Sequence, residues 1–299
     1  MNLDAIRAVA NAVLYEGYML YPYRRSALKN RSQGWSFGTL LPPKYVQENP
    51  GESDRLQAQL VLLANEDSVI TAEARFLQLG ESATGVLERN VIARRPLREV
   101  VHTATNVEFS FGPDGSTICE PIAGSIQINT ETSDQWSKLS VRISNQSQLP
   151  QAGLNRDQAL TRALIAAHAV VTVEGGEFIS LLDPPDELRT LVSNCKQVGI
   201  FPVMIGKEGE RKAMLLSPII LYDYPKIAAQ SKGNFFDSSE IDEMLSLRVL
   251  TLSDSEKDEI RARGGPASQI LDRTEALSRA ELSGLHGRMC EVARSEAKR

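Results

Sequence analysis

Cysteine and histidine are scarce in this 299-residue chain, with three of each. Cys119, Cys195 and Cys290 are far apart and odd in number, which argues against a disulfide framework. With no CxxC pair there is also no cysteine cluster to hold iron and sulfur. His102, His168 and His286 stand in no recognisable catalytic context. HExxH, GxGxxG, GxSxG and the phosphate-loop pattern are all missing, so no signature of a zinc protease, dinucleotide enzyme, serine hydrolase or nucleotide hydrolase is present. No apolar run reaches the length of a membrane span. The opening MNLDAIRAVANAVLYEG lacks the basic start and unbroken apolar core of a signal peptide, so no membrane insertion and a cytoplasmic location are the expectations. A net charge of −5 argues against general nucleic-acid affinity, which needs a clustered cationic surface.

What is present is an ordinary globular balance, 42% hydrophobic and 24% charged, in a chain long enough to bury a core unaided. Ala5, Val9, Ala12 and Val13 recur at helical spacing and predict a helix over 3–16. WSFGTLLPP then reads as a strand ending at Pro42-Pro43. The middle third alternates with period two. Leu56, Ala58, Leu60 and Leu62 form one set, and Ile70, Ala72, Ala74 and Phe76 a second. Val107, Phe109 and Phe111, then Ile126 and Ile128, then Leu139, Val141 and Ile143 follow. Such strands, separated by turn residues, predict an antiparallel sheet or sandwich. Near residue 150 the pattern changes. Asn155 with Gln158 forms a capping box ahead of Leu160, Ala163, Leu164 and Ala167, which predicts a helix. VVTVEGGEFISLL reads as a hairpin turning at Gly175-Gly176, and Asp183-Pro184 as a helix start. IFPVMIG and AMLLSPIILY read as short buried strands. Capping boxes at Asp237/Glu240 and Ser253/Glu256, and the stripe Leu282, Leu285, Met289 and Val292, predict a helical end. The class expected is therefore α+β: a helix plus β-rich region over 1–150, and a mixed, increasingly helical region over 151–299, the two able to pack as one unit.

Two clusters carry candidate chemistry. LYEGYMLYPYRRSALKNR places Tyr15, Tyr18, Tyr21 and Tyr23 ahead of Arg24, Arg25, Lys29 and Arg31. Tyrosine and arginine bury large areas while keeping polar tips, so Tyr18, Tyr21, Tyr23, Arg24, Arg25 and Lys29, backed by Trp35, form the expected interaction surface. The plainer account packs the tyrosines against the fold and leaves the cations solvated. Asp223, Asp237, Glu240, Asp242 and Glu243 form an acidic cluster that could bind a hard cation or act as acid and base. Helix capping explains the same residues. His286 and Cys290 share a helix face but are two ligands only. No metal or cofactor is expected.

LYEGYMLYPYR, SLLDPP, SPIILYDYP and FDSSEIDEMLSLRVLTL together resemble an uncharacterised bacterial protein family often encoded beside uptake nickel–iron hydrogenase genes. The resemblance covers about the first 40 residues and most of 155–260. It implies a non-enzymatic accessory or assembly protein for a hydrogenase-like metalloenzyme complex, with hydrogenase structural or maturation proteins as partners. The alternatives are a metal-dependent hydrolase-like enzyme using the Asp223–Glu243 carboxylates and a binder of an anionic small ligand at Arg24–Arg31.

Overall fold

A computed structural model describes residues 3–19, 37–80, 86–101, 103–113, 119–133 and 136–225, plus positions 254, 257, 258, 261, 271, 272 and 275. The chain divides into two compact units, Met1–Tyr21 with Ser32–Pro225, and Pro22–Arg31 with Lys226–Arg299. In the second unit Leu271 is buried, Lys257 pairs with Glu275 at 3.0 Å, and Arg261 pairs with Asp258, Asp272 and Glu275.

The first unit is built on β1 (Arg55–Leu79), a strand of 25 residues. Along one edge β1 pairs antiparallel first with β5 (Trp136–Asn145) and then with β2 (Val86–Pro96). Along the other edge it pairs with β6 (Ile165–Phe178). The sheet continues through β4 (Ile122–Ser133) to β3 (Thr105–Phe111) on one side, and through β8 (Ala213–Ser217) to β7 (Phe201–Met204) on the other. All eight strands belong to this one sheet. Short helices join them: α2 (Pro43–Glu48), α3 (Leu97–Val100), α4 (Arg156–Leu160) and α5 (Arg189–Ser193). None of the described helices is long and apolar enough to cross a membrane.

The sheet curls. β3 stands three strands from β1 in hydrogen-bond order, a separation of about 14 Å at the usual strand spacing. Yet Phe109 of β3 stacks on Phe76 of β1 with ring centroids 5.4 Å apart, and Phe111 meets Phe76 at 6.1 Å. The concave face so formed holds the main core: Leu60, Leu62, Ile70 and Phe76 of β1, Ile126, Ile128, Leu139 and Val141 of β4 and β5, and Val171, Met214 and Leu216 of β6 and β8. The opposite face of β6, β8 and β7 is buried too. There α1 (Leu3–Met19) lays Ile6, Val9, Ala10 and Val13 on Val170, Val203, Ile205, Ala213 and Leu215.

The expected α+β class with a helical C-terminal half is thereby corrected. The described part of the second half adds three strands to the same sheet, and its helices α4 and α5 are five residues each. The physical reason lies in double burial. A strand covered on both faces has no polar alternation, so the apolar run from Leu164 to Val171 matched a helical stripe as well as a strand. The capping box itself is real: Asn155 Oδ1 accepts from Gln158 N at 2.9 Å, and Gln158 Oε1 accepts from Asn155 N at 3.0 Å. The helix that it starts is over by Leu160.

The expected hairpin at Gly175-Gly176 is likewise a single strand, β6. The glycines face a four-residue bulge, Asn65–Ser68, that β1 inserts between Ala64 and Val69. Ser68 Oγ donates to Gly175 O at 2.8 Å, and Gly175 takes φ +75° to present that carbonyl. A side chain on Gly176 would meet Leu63 O at 2.7 Å. WSFGTLLPP contributes an isolated bridge, Leu40 with Leu164, rather than a strand. Asp183 does not cap a helix; the chain enters a 3-10 turn at Asp186–Leu188 and then α5. The capping boxes expected at 237–240 and 253–256 and the stripe at 282–292 lie wholly or mostly outside the described residues.

Gly124 of β4 pairs directly with Phe109, whose ring lies over it; an added Cβ would stand 2.4 Å from Phe109 Cζ and 2.5 Å from Ser144 O. Overpacking of this kind typically costs about 1–3 kcal/mol. Gly124→Ala is expected to lower the unfolding free energy by that amount, read as a lower urea midpoint at constant m. An unchanged midpoint would mean that β3 does not press its ring on β4.

Candidate functional site

Two of the segments singled out by sequence, SLLDPP and SPIILYDYP, come together around Asp223. Its Oδ1 accepts from Met204 N at 2.7 Å, and its Oδ2 accepts from Ser180 Oγ at 2.5 Å. Ser180 Oγ in turn accepts from Leu182 N at 3.1 Å and Asp183 N at 2.9 Å. The next residue completes the latch: Tyr224 N donates to Met204 O at 2.8 Å and Tyr224 Oη to Glu210 O at 3.2 Å, with Tyr224 at φ +58°. One carboxylate thus ties the end of β7, the loop after β6 and the extended chain after β8. Hydrogen bonds to a charged acceptor are the stronger kind, so this knot is rigid.

The extended segment alternates. Ile219 and Leu221 pack against the cluster under α1, while Ile220 and Tyr222 point away, 78% and 88% exposed. Leu182, two residues past Ser180, is 55% exposed on the adjoining loop. The knot therefore fixes three large apolar side chains in water, where an isolated flexible loop would fold them back. Asp183, Asp186 and Glu187 follow Leu182 in the chain and are exposed.

Of the residues proposed from sequence, Asp223 has both oxygens engaged within the chain as above. Tyr18 lies in α1, with its side chain outside the described residues. Tyr21, Tyr23, Arg24, Arg25, Lys29 and Trp35 lie outside them altogether, as do Asp237, Glu240, Asp242 and Glu243. Among the described residues no three histidine, cysteine, aspartate or glutamate side chains gather as a metal set. Sequence reading missed the ridge of Leu182, Ile220 and Tyr222. Its signal was the out-and-in alternation in PIILYD, which reads as a buried strand when the four apolar residues are taken together. A search against protein-family models gives no match, and none of the curated proteins is similar to the chain.

His168 was expected on a helix; it sits in β6, fully buried, on the same face as Val170. Its Nδ1 donates to Ala166 O at 2.9 Å, while Nε2 has no hydrogen-bond partner. Burial, and then the nearby Arg75 guanidinium, push its pKa down to about 4, against a partial counter-effect from the Ala166 carbonyl. Neutral His168 is therefore what the fold accommodates.

Two outcomes follow from these contacts. Asp223→Ala strips the acceptor from Met204 N and Ser180 Oγ and is expected to cost about 2–3 kcal/mol in chemical denaturation, with Asp223→Asn in between. A cost under a few tenths would show that the latch is idle. For His168, the unfolded chain binds the proton more tightly than the folded one, so stability present above pH 6.5 drains as pH falls toward 4. Between pH 7.5 and 5 the parent chain should lose about 2 kcal/mol that His168→Leu does not lose. Parallel slopes for the two proteins would refute the buried neutral imidazole.

Proposed function

We propose that this chain is an accessory or assembly protein that works by direct contact with a protein partner, and that the ridge of Leu182, Ile220 and Tyr222 is a contact surface. The observation that supports this reading is the pair Ile220 and Tyr222, held almost fully in solvent by the Asp223 knot. Single exposed apolar residues are commonplace, but neighbours held out on one rigid edge fit the anchor residues of an interface. The partner implied by the sequence resemblance is a structural or maturation protein of a hydrogenase-like metalloenzyme. Tyr21, Tyr23, Arg24 and Arg25 remain a second proposed contact on the strength of their chemistry alone.

Tagged parent protein and the variants Ile220→Glu and Tyr222→Ala would be purified from the native host and their co-eluting proteins quantified. Both side chains are exposed, so both variants should keep the parental melting temperature. Loss of an anchor tyrosine costs about 2 kcal/mol at a well-packed contact, close to 30-fold in affinity. Recovery of a hydrogenase component near stoichiometry with the parent, and its loss with either variant, is the expected result. Undiminished recovery with both variants would remove the ridge from the interface.

A further inference from the structure

The sheet face that receives α1 is apolar over β6, β8 and β7, whereas Thr71, Glu73 and Arg75 of β1 and the facing Glu88, Asn90 and Arg94 of β2 make it mostly polar beside them, with Ile92 the exposed exception. Register sets Asn90 of β2, Arg75 of β1 and His168 of β6 side by side in one row. Glu73 stands two residues along β1, and Glu88 opposite Leu77. From above, Arg7 and Asn11 lie one helical turn apart on α1. Arg7, Asn11, Glu73, Arg75, Glu88 and Asn90, together with Arg89, line a cleft of about 370 Å³. Arg89 itself pairs with Phe76, so its side chain belongs to the core face, where Nε donates to Gln78 Oε1 at 2.8 Å and the guanidinium lies 4.8 Å from the Phe111 ring centroid. The charged groups left to the cleft are Arg7, Arg75, Glu73 and Glu88.

Arg75 is the unusual member. Its side chain is 12% exposed, yet Nη2 donates to the neutral Asn11 Oδ1 at 2.6 Å, and its carboxylate neighbour Glu88 stands 3.7 Å away and is itself 52% exposed. A nearly buried guanidinium ordinarily finds closely bonded acceptors for its fork of five N–H groups. On the other side of the row is His168, neutral and deep, which cannot offset the charge. Glu73 spends Oε1 on Asn90 Nδ2 at 2.8 Å. The cleft therefore holds a cation short of an acceptor beside a carboxylate with a second oxygen to spend.

The geometry points to a binding site for a small zwitterion, a free α-amino acid, in this cleft: its carboxylate on Arg75 and Arg7, its ammonium on Glu73. The charge pattern selects the class. A simple anion would meet Glu73 and Glu88, and a simple cation would meet Arg75 and Arg7, whereas a molecule bearing both charges satisfies both sets. The volume suits a molecule of that size and is partly open to solvent, with exposed Arg7 among its lining. This reading is independent of the protein-contact role.

The test is titration of the full chain with L-alanine, L-glutamate and L-arginine from 0.1 to 10 mM, followed by thermal shift and calorimetry. Acetate and methylammonium serve as half-ligands. At least one amino acid should raise the melting temperature with a sub-millimolar Kd, and both half-ligands should bind at least tenfold more weakly. Arg7→Ala, at an exposed helix position, and Glu73→Gln should each weaken that amino acid by tenfold or more while keeping the unliganded melting temperature. No shift with any of the three amino acids would overturn the proposal. So would a shift that both variants leave intact, which places binding elsewhere, or acetate binding as tightly as the amino acid, which makes the cleft a plain anion site. Should Glu73→Gln perturb the fold, Arg7→Ala alone decides.

Discussion

Twenty-five residues of β1 expose backbone donors and acceptors on two edges, and most of the fold exists to satisfy them. An unpaired buried amide or carbonyl costs as much as a lost hydrogen bond, so a strand of this length cannot be left half-paired. No single neighbour matches its length. β5 covers one edge as far as Leu63 and β2 takes over from Val69. β6 covers the opposite edge, and Gln57 finds Val198 beyond β6's end, with N–H and C=O exchanged at 3.1 and 2.8 Å. The Asn65–Ser68 bulge falls where β5 hands over to β2. The extra residues are not slack: Ser68 Oγ accepts from Asn65 N at 3.0 Å and donates to Gly175 O at 2.8 Å. A bulge bends the strand that carries it, and the contact of Phe76 with Phe109 and Phe111 shows that the β3 end of the sheet folds back over β1.

Curling the sheet gives its two faces different tasks. The concave face closes over hydrocarbon, with side chains such as Ile70, Phe76, Ile126 and Val141 almost wholly excluded from water. The convex face needs an outside cover, and one helix is too narrow for it. α1 covers β6, β8 and β7 with its apolar stripe and leaves β1 and β2 to polar side chains. That boundary is where a cleft forms. Asn145 performs a similar joining task at the far end of β5. Buried to 1%, it donates to Leu40 O at 2.8 Å and Arg162 O at 2.9 Å and accepts from Ser147 N at 2.8 Å, so three loops share one amide. Fully satisfied, such a buried amide specifies an arrangement rather than merely tolerating it.

The strands with one wet face were legible in the sequence. Val107, Phe109 and Phe111, or Leu139, Val141 and Ile143, announce themselves by period two, and the structure places them in β3 and β5. The α1 stripe was legible for the matching reason. Illegible were the places where two local rules agreed on the wrong answer. Asn155 and Gln158 cap a helix correctly, and Leu160 to Ala167 then continue a helical stripe, yet the chain becomes a strand because both its faces are covered. Gly175-Gly176 reads as a turn because glycine permits one; here it permits close approach to a bulge that lies more than a hundred residues earlier. Ser180 and Asp223 are 43 residues apart, in two segments that no local rule joins, so only the fold shows that they bond. The charges of the cleft were visible as the wet face of β1, Glu73 and Arg75, but nothing local says that α1 would come to lie above them.

The two surfaces obey one rule in opposite ways. At the ridge, hydrogen bonds hold hydrophobic groups where water must solvate them; in the cleft, packing leaves a guanidinium only 12% exposed. Each arrangement leaves a group short of its preferred surroundings, and each is held by something stronger than the shortfall: the double acceptance of Asp223 in the first case, the hydrogen bond from Arg75 to Asn11 of α1 in the second. His168 shows how far the second constraint reaches. A charged imidazole there would be unsolvated and, to a lesser extent, repelled by Arg75, so His168 stays neutral and keeps a bare Nε2. Arg75 meets its nearest carboxylate, Glu88, only at 3.7 Å, so an added carboxylate there would give the guanidinium a closer acceptor.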